Sequence, residues 1–211
     1  LRPTAEQRVI KRILDVTVAT LAVAGLLPLF ILVAIAIKLD SPGPIIFSQR
    51  RVGENEKEFD VYKFRTMCVD AEKQTGPVLA LENDPRITRV GRFMRATRID
   101  ELPQLINVLI GNMSIVGPRP ERAFFVEMLK EELPEYVHRS NVKPGITGMA
   151  QVYGKYNTTS YNKLVYDLLY IQRFGPITDL TLMLKTLLVL LSKSSSEGVQ
   201  VDRKVLSMET K

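Results

Sequence analysis

The longest apolar segment of the chain limits its fold more than any other feature. Val16 to Ile37 is a run of 22 residues without a charged side chain. At about 1.5 Å per residue, a helix of this length can cross a ~30 Å hydrocarbon core. A signal peptide fits poorly, because the run is too long and residues 38–42 offer no small-residue cleavage site. A wholly buried helix of a soluble protein is the other alternative, but a small domain rarely encloses such a helix on every side. The sequence therefore predicts membrane insertion.

The flanks of this run leave two topologies open. The basic residues nearest to it are Arg8, Lys11 and Arg12 before it, and Lys38, Arg50 and Arg51 after it. Lys and Arg mark the cytoplasmic side of a membrane segment, and here they stand on both sides. Pro28, near the middle, lacks a backbone donor and kinks or breaks a helix. The helix either enters and leaves by the same leaflet, or spans the bilayer with a mild proline kink.

The amino-acid composition limits the classes of partner and metal site that the chain can have. The chain has 211 residues, with 29 Lys and Arg against 23 Asp and Glu, which suits phosphate-rich partners such as nucleotides, nucleic acid or anionic headgroups. Nucleic-acid binding would not explain the apolar run. One cysteine and one histidine exclude an internal disulfide and a multi-Cys or multi-His metal site. Because the sequence begins with Leu1 rather than Met, a preceding N-terminal region is left open.

Short strands and helices are predicted after the apolar run. Residues 44–53 indicate a strand ending in a turn, and the alternation over 58–65 indicates a second strand. Apolar spacing with Pro103 in the first turn and Gly111 as a stop predicts a helix over 102–110. Further helices are predicted over 123–133 and 162–174. The segment Lys143–Gly148 is predicted to be a rigid turn, and the leucine-rich residues 178–191 either lie along the membrane surface or pack on the core.

A pair of adjacent acids, Asp100 and Glu101, stands at the start of the predicted helix. Acids are common there because of the helix dipole, so the pair alone is weak evidence of a site. The same position offers free backbone N–H groups to a phosphate. One carboxylate can act as a nucleophile, and its neighbour can hold a divalent cation that neutralises phosphate oxygens.

Arginines cluster around this pair. Arg86, Arg89, Arg92, Arg95 and Arg98 recur at every third residue. Each such step drifts by roughly 60° around an α-helix, so the five cannot share one face. Those nearest the acids can balance their charge and clamp phosphates. Arg119, between two prolines, would lose little entropy on binding a phosphate, although the same tripeptide can be a structural turn.

Five motifs occur in a fixed order along the chain. They are Lys63-Phe-Arg-Thr-Met67, Asp100-Glu-Leu-Pro-Gln-Leu105, Asn107-Val-Leu, Gly111-Asn-Met-Ser-Ile-Val-Gly-Pro-Arg-Pro120 and Lys143-Pro-Gly-Ile-Thr-Gly-Met-Ala-Gln151. In this order they resemble the monotopic phosphoglycosyl transferases, bacterial sugar transferases that begin capsule, exopolysaccharide, O-antigen and glycoprotein glycans. The resemblance runs from about Arg8 to Leu191, and the length and order of the motifs make it specific.

The resemblance implies a reaction and its residues. In the family, the Asp of the pair attacks the β-phosphate of a UDP-sugar, UMP leaves, and polyprenol (undecaprenyl) phosphate takes the phosphosugar from the aspartyl intermediate. By position, Asp100 is the expected nucleophile and Glu101 the residue that holds Mg²⁺. The expected phosphate-binding residues are Lys63, Arg65, Arg95 and Arg119.

The resemblance also implies an architecture. We expect an α/β, mostly helical fold: a small cytosolic catalytic domain on a re-entrant membrane helix, with interfacial amphipathic helices, at the cytoplasmic face of a bacterial inner membrane. The family breaks the re-entrant helix at a Ser-Pro pair, whereas this chain has Leu27-Pro28. The expected division is 1–40 for the flank and membrane helix, 41–176 for the catalytic domain, 177–192 for an interfacial helix and 193–211 for a polar tail.

Besides the UDP-sugar and polyprenol phosphate, membrane lipid is an expected partner and nucleic acid is not; a homodimer is left open. Two other functions remain open at this stage. The same acids and magnesium would suit a membrane-anchored phosphodiesterase or hydrolase. A non-catalytic lipid-surface scaffold would explain the basic charge, but it gains nothing from acids within a basic patch.

Overall fold

One long helix, α1 (Ala5–Asp40), contains the apolar run. The computed structural model of the chain describes residues 2–69, 71, 84–154 and 158–191. The Thr4 hydroxyl begins α1 by accepting a hydrogen bond from the Gln7 N–H, and the Gln7 side chain accepts one from the Thr4 N–H. The helix continues through Pro28. The predicted break is therefore not seen as an interruption of the helix, and the re-entrant path stays a prediction.

The packing of α1 is one-sided, although both of its faces are apolar. Within the described residues it is the one helix long and apolar enough to cross a membrane, and 11% of its most apolar window is buried. A wholly buried core helix is therefore excluded. Ala19, Val33 and Ile37 lie on the buried face. Its large exposed side chains in the apolar run are Leu21, Leu27, Ile31, Leu32 and Ile35. Such a large apolar surface requires an apolar environment.

Two strands follow α1 as an antiparallel hairpin, β1 (Ile46–Val52) and β2 (Glu58–Phe64). Both confirm the strand predictions. The turn between them contains a short 3₁₀ segment, Glu54–Glu56, with Asn55 and Glu56 at positive φ. The sequence also predicts a loop around Gly76 and Pro77, which lies outside the described part of the chain.

Two helices and the turn between them carry most of the arginines and both acids. Helix α2 (Arg89–Thr97) begins at Thr88, whose hydroxyl accepts a hydrogen bond from the Gly91 N–H. A 3₁₀ turn, Ile99–Glu101, then leads to α3 (Gln104–Ile110). This agrees with the predicted helix and with Gly111 as its stop, which has φ 103°.

The side chain of Asn107 fixes α3 against the hairpin. Its amide oxygen accepts from the Tyr62 N–H at 3.0 Å, and its amide nitrogen donates to the Asp60 carbonyl at 2.7 Å. Asn107 is fully buried, and its side chain bonds backbone groups of β2 that would otherwise need a neighbouring strand. The contact holds Lys63, the next residue of β2, beside the turn that carries the acids.

The segment Lys143–Gly148 was predicted to be a rigid turn, and that prediction is wrong. Residues Gly145–Thr147 form β4, which pairs in parallel with β3 (Ser114–Val116). The backbones approach so closely that a Cβ on Gly145 would lie 2.0 Å from the Gly117 nitrogen. A three-residue strand has no alternation to detect, and this one exists only because a segment distant in sequence pairs with it.

Four more helices complete the described fold. They are α4 (Ala123–Glu132), α5 (Met149–Tyr153), α6 (Ser160–Gln172) and α7 (Pro176–Leu191), with a 3₁₀ segment over Pro134–Asn141 between α4 and β4. Helices α4 and α6 confirm their predictions. Packing on the core applies to part of the leucine-rich segment, because α7 buries Asp179 and Leu182, and its position along the membrane surface stays a prediction. The exposed apolar residues of α7 are Ile177, Leu180, Leu184, Leu187 and Leu188.

The described fold is mostly helical, as expected, and it contains two small sheets. Its main core joins Ala19 of α1, Val61 of β2, Val108 of α3, Val116 of β3 and Tyr170 of α6. The division at residues 40, 176 and 192 stays a prediction, and the predicted tail 193–211 lies outside the described residues.

Polar contacts fix both ends of α1 to this core. Near its start, Arg8 pairs with Glu54 at 2.6 Å, and Arg12 donates to two backbone carbonyls of α3 at 2.5 and 2.8 Å. Near its end, the Asp40 carboxylate accepts from the Val90 N–H, in the first turn of α2, at 3.0 Å. The two ends of the apolar helix therefore lie against the same polar domain.

Candidate active site

The turn that presents the two acids is set by a left-handed residue. Arg98 has φ 59° and ψ 12°, which ends α2 and starts the 3₁₀ turn over Ile99–Glu101. Side chains in a 3₁₀ turn are spaced by about a third of a circle, so adjacent residues point in different directions. Asp100 is only 8% exposed and Glu101 is largely buried. The predicted pair thus lies in the turn just before α3.

Glu101 forms the centre of a charged cluster. Its Oε1 accepts hydrogen bonds from Lys63 Nζ and from Arg119 Nη2, both at 2.8 Å. Burial alone would raise the pKa of Glu101, but the charges of Arg119 and Lys63 outweigh it and hold that pKa well below the usual range. Glu101 is therefore ionised at neutral pH and orients two cations. Lys63, Asp100, Glu101 and Arg119 are called the active-site cluster below.

Asp100 differs from its neighbour in having an unpaired oxygen. Within the described residues, its buried Oδ1 has no hydrogen-bond partner. Burial raises the pKa of Asp100 and the negative charge of Glu101 raises it further, while Lys63, Arg95 and Arg98 oppose the rise. A buried carboxylate oxygen without a partner costs free energy, and a catalytic role or a bound ion is one explanation for keeping it. Its perturbed pKa and its cationic neighbours are typical of a reactive group.

The remaining predicted cations take different positions. Burial lowers the pKa of Lys63, against the charge of Glu101. Arg95 donates from Nε to the Thr66 hydroxyl at 2.9 Å; burial lowers its pKa, and the charge of Asp100 opposes that shift. The structure therefore brings Lys63 and Arg95 into the electrostatic environment of the acids, as predicted.

Arg65, which was predicted to bind phosphate, is bonded to backbone carbonyls in the structure. It is buried, and its guanidinium donates to the backbone carbonyls of Ser41, at 2.8 Å, and Pro42. These carbonyls follow the end of α1, so Arg65 attaches that end to β2. Its role in phosphate binding stays a prediction that these contacts do not favour.

Two residues that the sequence did not indicate hold Arg119 in place. Arg139 donates from Nη2 to the Arg119 carbonyl at 2.9 Å and from Nε to Asp167 Oδ2 at 2.6 Å. Asp167 is fully buried on α6. The Arg119 side chain as a whole is 39% exposed. Neither Arg139 nor Asp167 belongs to a motif with a known chemical meaning, so only their contacts identify them.

A magnesium ion fits this site only together with a phosphate ligand. The described residues contain no group of three or more His, Cys, Asp or Glu side chains that could hold a metal. The bonded carboxylate oxygen of Glu101 already faces two cations. Mg²⁺ is often bound through one or two carboxylates plus substrate phosphates and waters. Anionic phosphate oxygens would offset the repulsion from Lys63 and Arg119, so Glu101 and a diphosphate together could hold the ion.

Comparison with known proteins gives the context for this geometry. The family described as bacterial sugar transferase matches residues 6–193. The chain is 43% identical over 195 residues to the UDP-N-acetylgalactosamine-undecaprenyl-phosphate N-acetylgalactosaminephosphotransferase of Aeromonas hydrophila, an alignment that covers 91% of this chain and 46% of that protein. It is 42% identical over 184 residues to the UDP-glucose:undecaprenyl-phosphate glucose-1-phosphate transferase of Escherichia coli (strain K12), covering 85% and 39%.

A shorter relative aligns over nearly its whole length. The chain is 43% identical over 186 residues to the exopolysaccharide production protein PSS of Rhizobium leguminosarum bv. phaseoli, covering 84% of this chain and 93% of that protein. The chain thus spans less than half of the Aeromonas and Escherichia relatives and most of the Rhizobium one. The family match includes the complete active-site cluster. The chain belongs to the bacterial sugar transferase family.

Proposed function

We propose that this chain transfers a sugar 1-phosphate from a UDP-sugar to undecaprenyl phosphate, through a phosphosugar bound covalently to Asp100. The observation that carries the proposal is the buried, unpaired Oδ1 of Asp100 beside two cations held by Glu101. The names of the relatives supply the donor and acceptor classes. A first membrane step in glycan assembly is the corresponding cellular role.

The reaction has two displacements. The Asp100 carboxylate attacks the β-phosphorus of the UDP-sugar, the bond from that phosphorus to the bridging oxygen breaks, and UMP leaves with the electron pair. An oxygen of undecaprenyl phosphate then attacks the same phosphorus. The acyl phosphate bond breaks, which gives the sugar diphospholipid and restores the carboxylate. A covalent intermediate lets UMP leave before a chemically very different acceptor enters.

The surrounding residues stabilise charge rather than react. Lys63 and Arg119 neutralise the phosphate oxygens as negative charge moves toward the leaving UMP. The charge of Arg95 lowers the pKa of Asp100 and so favours the ionised carboxylate. Mg²⁺, held by Glu101 together with the diphosphate, would supply further neutralisation of phosphate charge.

The names of the relatives point to two candidate sugars. Similar identities, 43% and 42%, connect the chain to an N-acetylgalactosamine-phosphate transferase and to a glucose-phosphate transferase. UDP-N-acetylgalactosamine and UDP-glucose are therefore the first donors to test.

The membrane arrangement belongs to the same proposal. Both ends of α1 bind the domain that carries the active-site cluster, which supports a helix that enters and leaves on one side. UDP-sugars are cytoplasmic, so that side is the cytoplasmic face of a bacterial inner membrane. A re-entrant helix would keep the cluster near the headgroups, where the acceptor phosphate lies.

Donor and acceptor assays test the reaction. The purified chain is incubated with each UDP-sugar, undecaprenyl phosphate and Mg²⁺, and both UMP release and the lipid product are measured. We expect both products in equal amounts with one donor. With undecaprenyl phosphate withheld, mass spectrometry should find the phosphosugar on the peptide that contains Asp100. Sustained UMP release without lipid product would identify a hydrolase and contradict the proposal.

Labelling of single cysteines tests the topology. Arg2→Cys and Lys57→Cys place exposed thiols before and after α1, in a Cys68→Ser background. A membrane-impermeant thiol reagent should label neither in intact cells and both after the membrane is opened. Labelling at position 2 in intact cells would mean that α1 spans the bilayer.

A further inference from the structure

A cavity of about 230 Å³ lies at the N-terminal end of α1. Its walls come from the first turns of α1, the turn after β1, the segment before β4 and the end of α6. Its described lining includes no member of the active-site cluster. Since a water takes about 30 Å³ of liquid volume, the cavity has room for several waters or one phosphate group. It is smaller than the roughly 300–1,000 Å³ clefts that hold drug-sized ligands.

Cations outnumber acids in the lining of this cavity. The charged residues there are Arg8, Lys11, Arg12 and Lys143 against Asp15 and Glu54. Glu54 pairs with Arg8 at 2.6 Å, and Asp179 pairs with Lys11 at 2.7 Å. Arg12 donates to two backbone carbonyls, which carry no formal charge. The positive charge of Arg12 is therefore not neutralised by its partners.

Lys143 is the second cation of the cavity without a counter-charge. It is half-buried, and within the described residues its ammonium has neither an ion pair nor a hydrogen bond. Burial lowers the pKa of Lys143 and the charge of Arg12 lowers it further, while Glu54 and Asp15 oppose the shift. The ammonium and the Arg12 guanidinium both lie beside Gly111. An anion between them would remove a repulsion that the fold leaves in place.

Exposed apolar side chains belong to α1, whose first turns line the cavity, and to α7, which begins two residues after the lining residue Phe174. Val9 and Ile13 of α1 are 59% and 62% exposed, and Ile177, at the start of α7, is 82% exposed. The apolar run begins at Val16, four residues after Arg12. The cavity thus lies where α1 passes from polar to apolar surroundings. A ligand with a phosphate and hydrocarbon chains would match both features, whereas a free anion would match only one.

We propose that this cavity binds the phosphate of a membrane phospholipid, with Lys143 and Arg12 as its charged ligands and the acyl chains along the exposed apolar residues of α1 and α7. Such a lipid would hold the start of α1 at headgroup level. The site is separate from the transfer reaction, so it stands or falls independently of the proposed activity.

Native mass spectrometry of the detergent-solubilised full chain tests the site. Phosphatidylglycerol, dioleoylglycerol and inorganic phosphate are titrated separately. We expect a one-to-one phosphatidylglycerol complex and no comparable complex with dioleoylglycerol, which lacks the phosphate. Lys143→Gln should weaken phosphatidylglycerol binding about tenfold or more, the scale of one charged hydrogen bond. Lys143→Arg keeps the charge and should retain most of the affinity.

The control is Lys163→Gln, which makes the same charge change at an exposed lysine of α6 that does not line the cavity. Its phosphatidylglycerol affinity should equal that of the wild type. Circular dichroism checks that each variant is folded. Equal affinity in folded Lys143→Gln and wild type would overturn the proposal. So would binding of inorganic phosphate that depends on Lys143 and is as tight as that of phosphatidylglycerol, since the site would then take free anions.

Discussion

Two groups of charged and polar residues in this protein differ in how completely their buried atoms are hydrogen-bonded. One is the active-site cluster. The other, the anchor network, consists of Lys11, Asp15, Ser114, Tyr170 and Asp179 and connects α1 to β3, α6 and α7. In the anchor network, Lys11 Nζ lies 2.7 Å from Asp179 Oδ2, and Tyr170 donates to Asp179 Oδ1 at 2.9 Å. Asp15 Oδ1 accepts from the Ser114 hydroxyl and the Ile115 N–H, each at 3.0 Å.

The difference lies in one atom. In the part of the chain that the structure describes, every buried side-chain oxygen and nitrogen of the anchor network has a partner, whereas Asp100 Oδ1 in the active-site cluster has none. A fully satisfied network fixes structure, and breaking it leaves a buried charge unpaired. An unsatisfied carboxylate adds little to the fold and is available to a substrate. Charge and burial alone would not separate the two groups; their hydrogen bonds do.

The largest expected effect is on activity, at Asp100. Asp100→Asn keeps the size of the side chain but cannot attack phosphorus. We expect turnover to fall by roughly 10⁴-fold or more, the scale of removing a nucleophile, with no loss of stability. Activity assays and chemical unfolding measure the two effects. Retention of more than a few per cent of wild-type turnover would remove Asp100 from the nucleophile's role.

The anchor network should respond in the opposite way. Asp179→Asn leaves the Lys11 charge without its closest partner, so we expect unfolding free energy to drop by about 3–5 kcal/mol. Activity per folded molecule should change little. The control is Asp60→Asn, which breaks an exposed pair with Arg50 and should cost less than about 1 kcal/mol. The double variant Lys11→Met with Asp179→Leu should recover most of the loss; an unrecovered loss would mean that the charges themselves are needed.

Arg119 tests whether the cluster stabilises charge during the reaction. Arg119→Ala should cost about 2–4 kcal/mol of transition-state stabilisation, the scale of losing one preorganised donor. Arg119→Lys should recover only part of this, because a point charge does not replace a planar guanidinium. Arg50→Lys, at a largely exposed arginine, is the matched control for kcat/KM. Full activity of Arg119→Lys would contradict a role that needs the planar guanidinium.

The pH dependence of the reaction should reveal the raised pKa of Asp100. The nucleophile must be ionised, so activity is lost as pH falls through that pKa, which lies above the ordinary 3.8 of aspartate. Arg98→Gln removes a charge that lowers this pKa and should move the acid limb of kcat/KM to higher pH. Arg92→Gln, at an exposed arginine that is not among the main charges acting on Asp100, should leave it in place. An acid limb that moves to lower pH in Arg98→Gln would exclude Asp100 as the group that titrates.

The smallest expected effect concerns the backbone beside the acids. Arg98 occupies a left-handed conformation that costs a non-glycine residue about 1–2 kcal/mol. Glycine avoids this cost, but it loses more chain entropy on folding, which offsets part of the gain. Arg98→Gly should therefore raise the unfolding free energy by about 0.5–1 kcal/mol. Arg92→Gly, inside α2, should lower it by about 1 kcal/mol. A destabilised Arg98→Gly variant would show that the arginine side chain matters more than the strain.

The sequence by itself determined the features that depend on neighbouring residues. The uncharged run Val16–Ile37 required a long apolar helix, and the 3.6-residue spacing with Pro103 and Gly111 placed α3. The β1 and β2 strands followed from their alternation and turn residues. Five motifs in a fixed order indicated the family, which the comparisons confirm. The roles that the resemblance implies for Asp100 and Glu101 stay predictions.

Only the tertiary structure decided which charged groups meet. Lys63 and Glu101 are 38 residues apart in sequence, and Arg139 reaches the Arg119 carbonyl from 20 residues away. Contacts between distant segments also form strand β4 within Lys143–Gly148, which the sequence predicted to be a turn. They pair Arg65 with backbone carbonyls that follow the end of α1. Contacts between distant segments leave no periodic pattern in the residues that make them. Whether a buried carboxylate is paired, as in the anchor network, or unpaired, as at Asp100, therefore depends on how those segments pack.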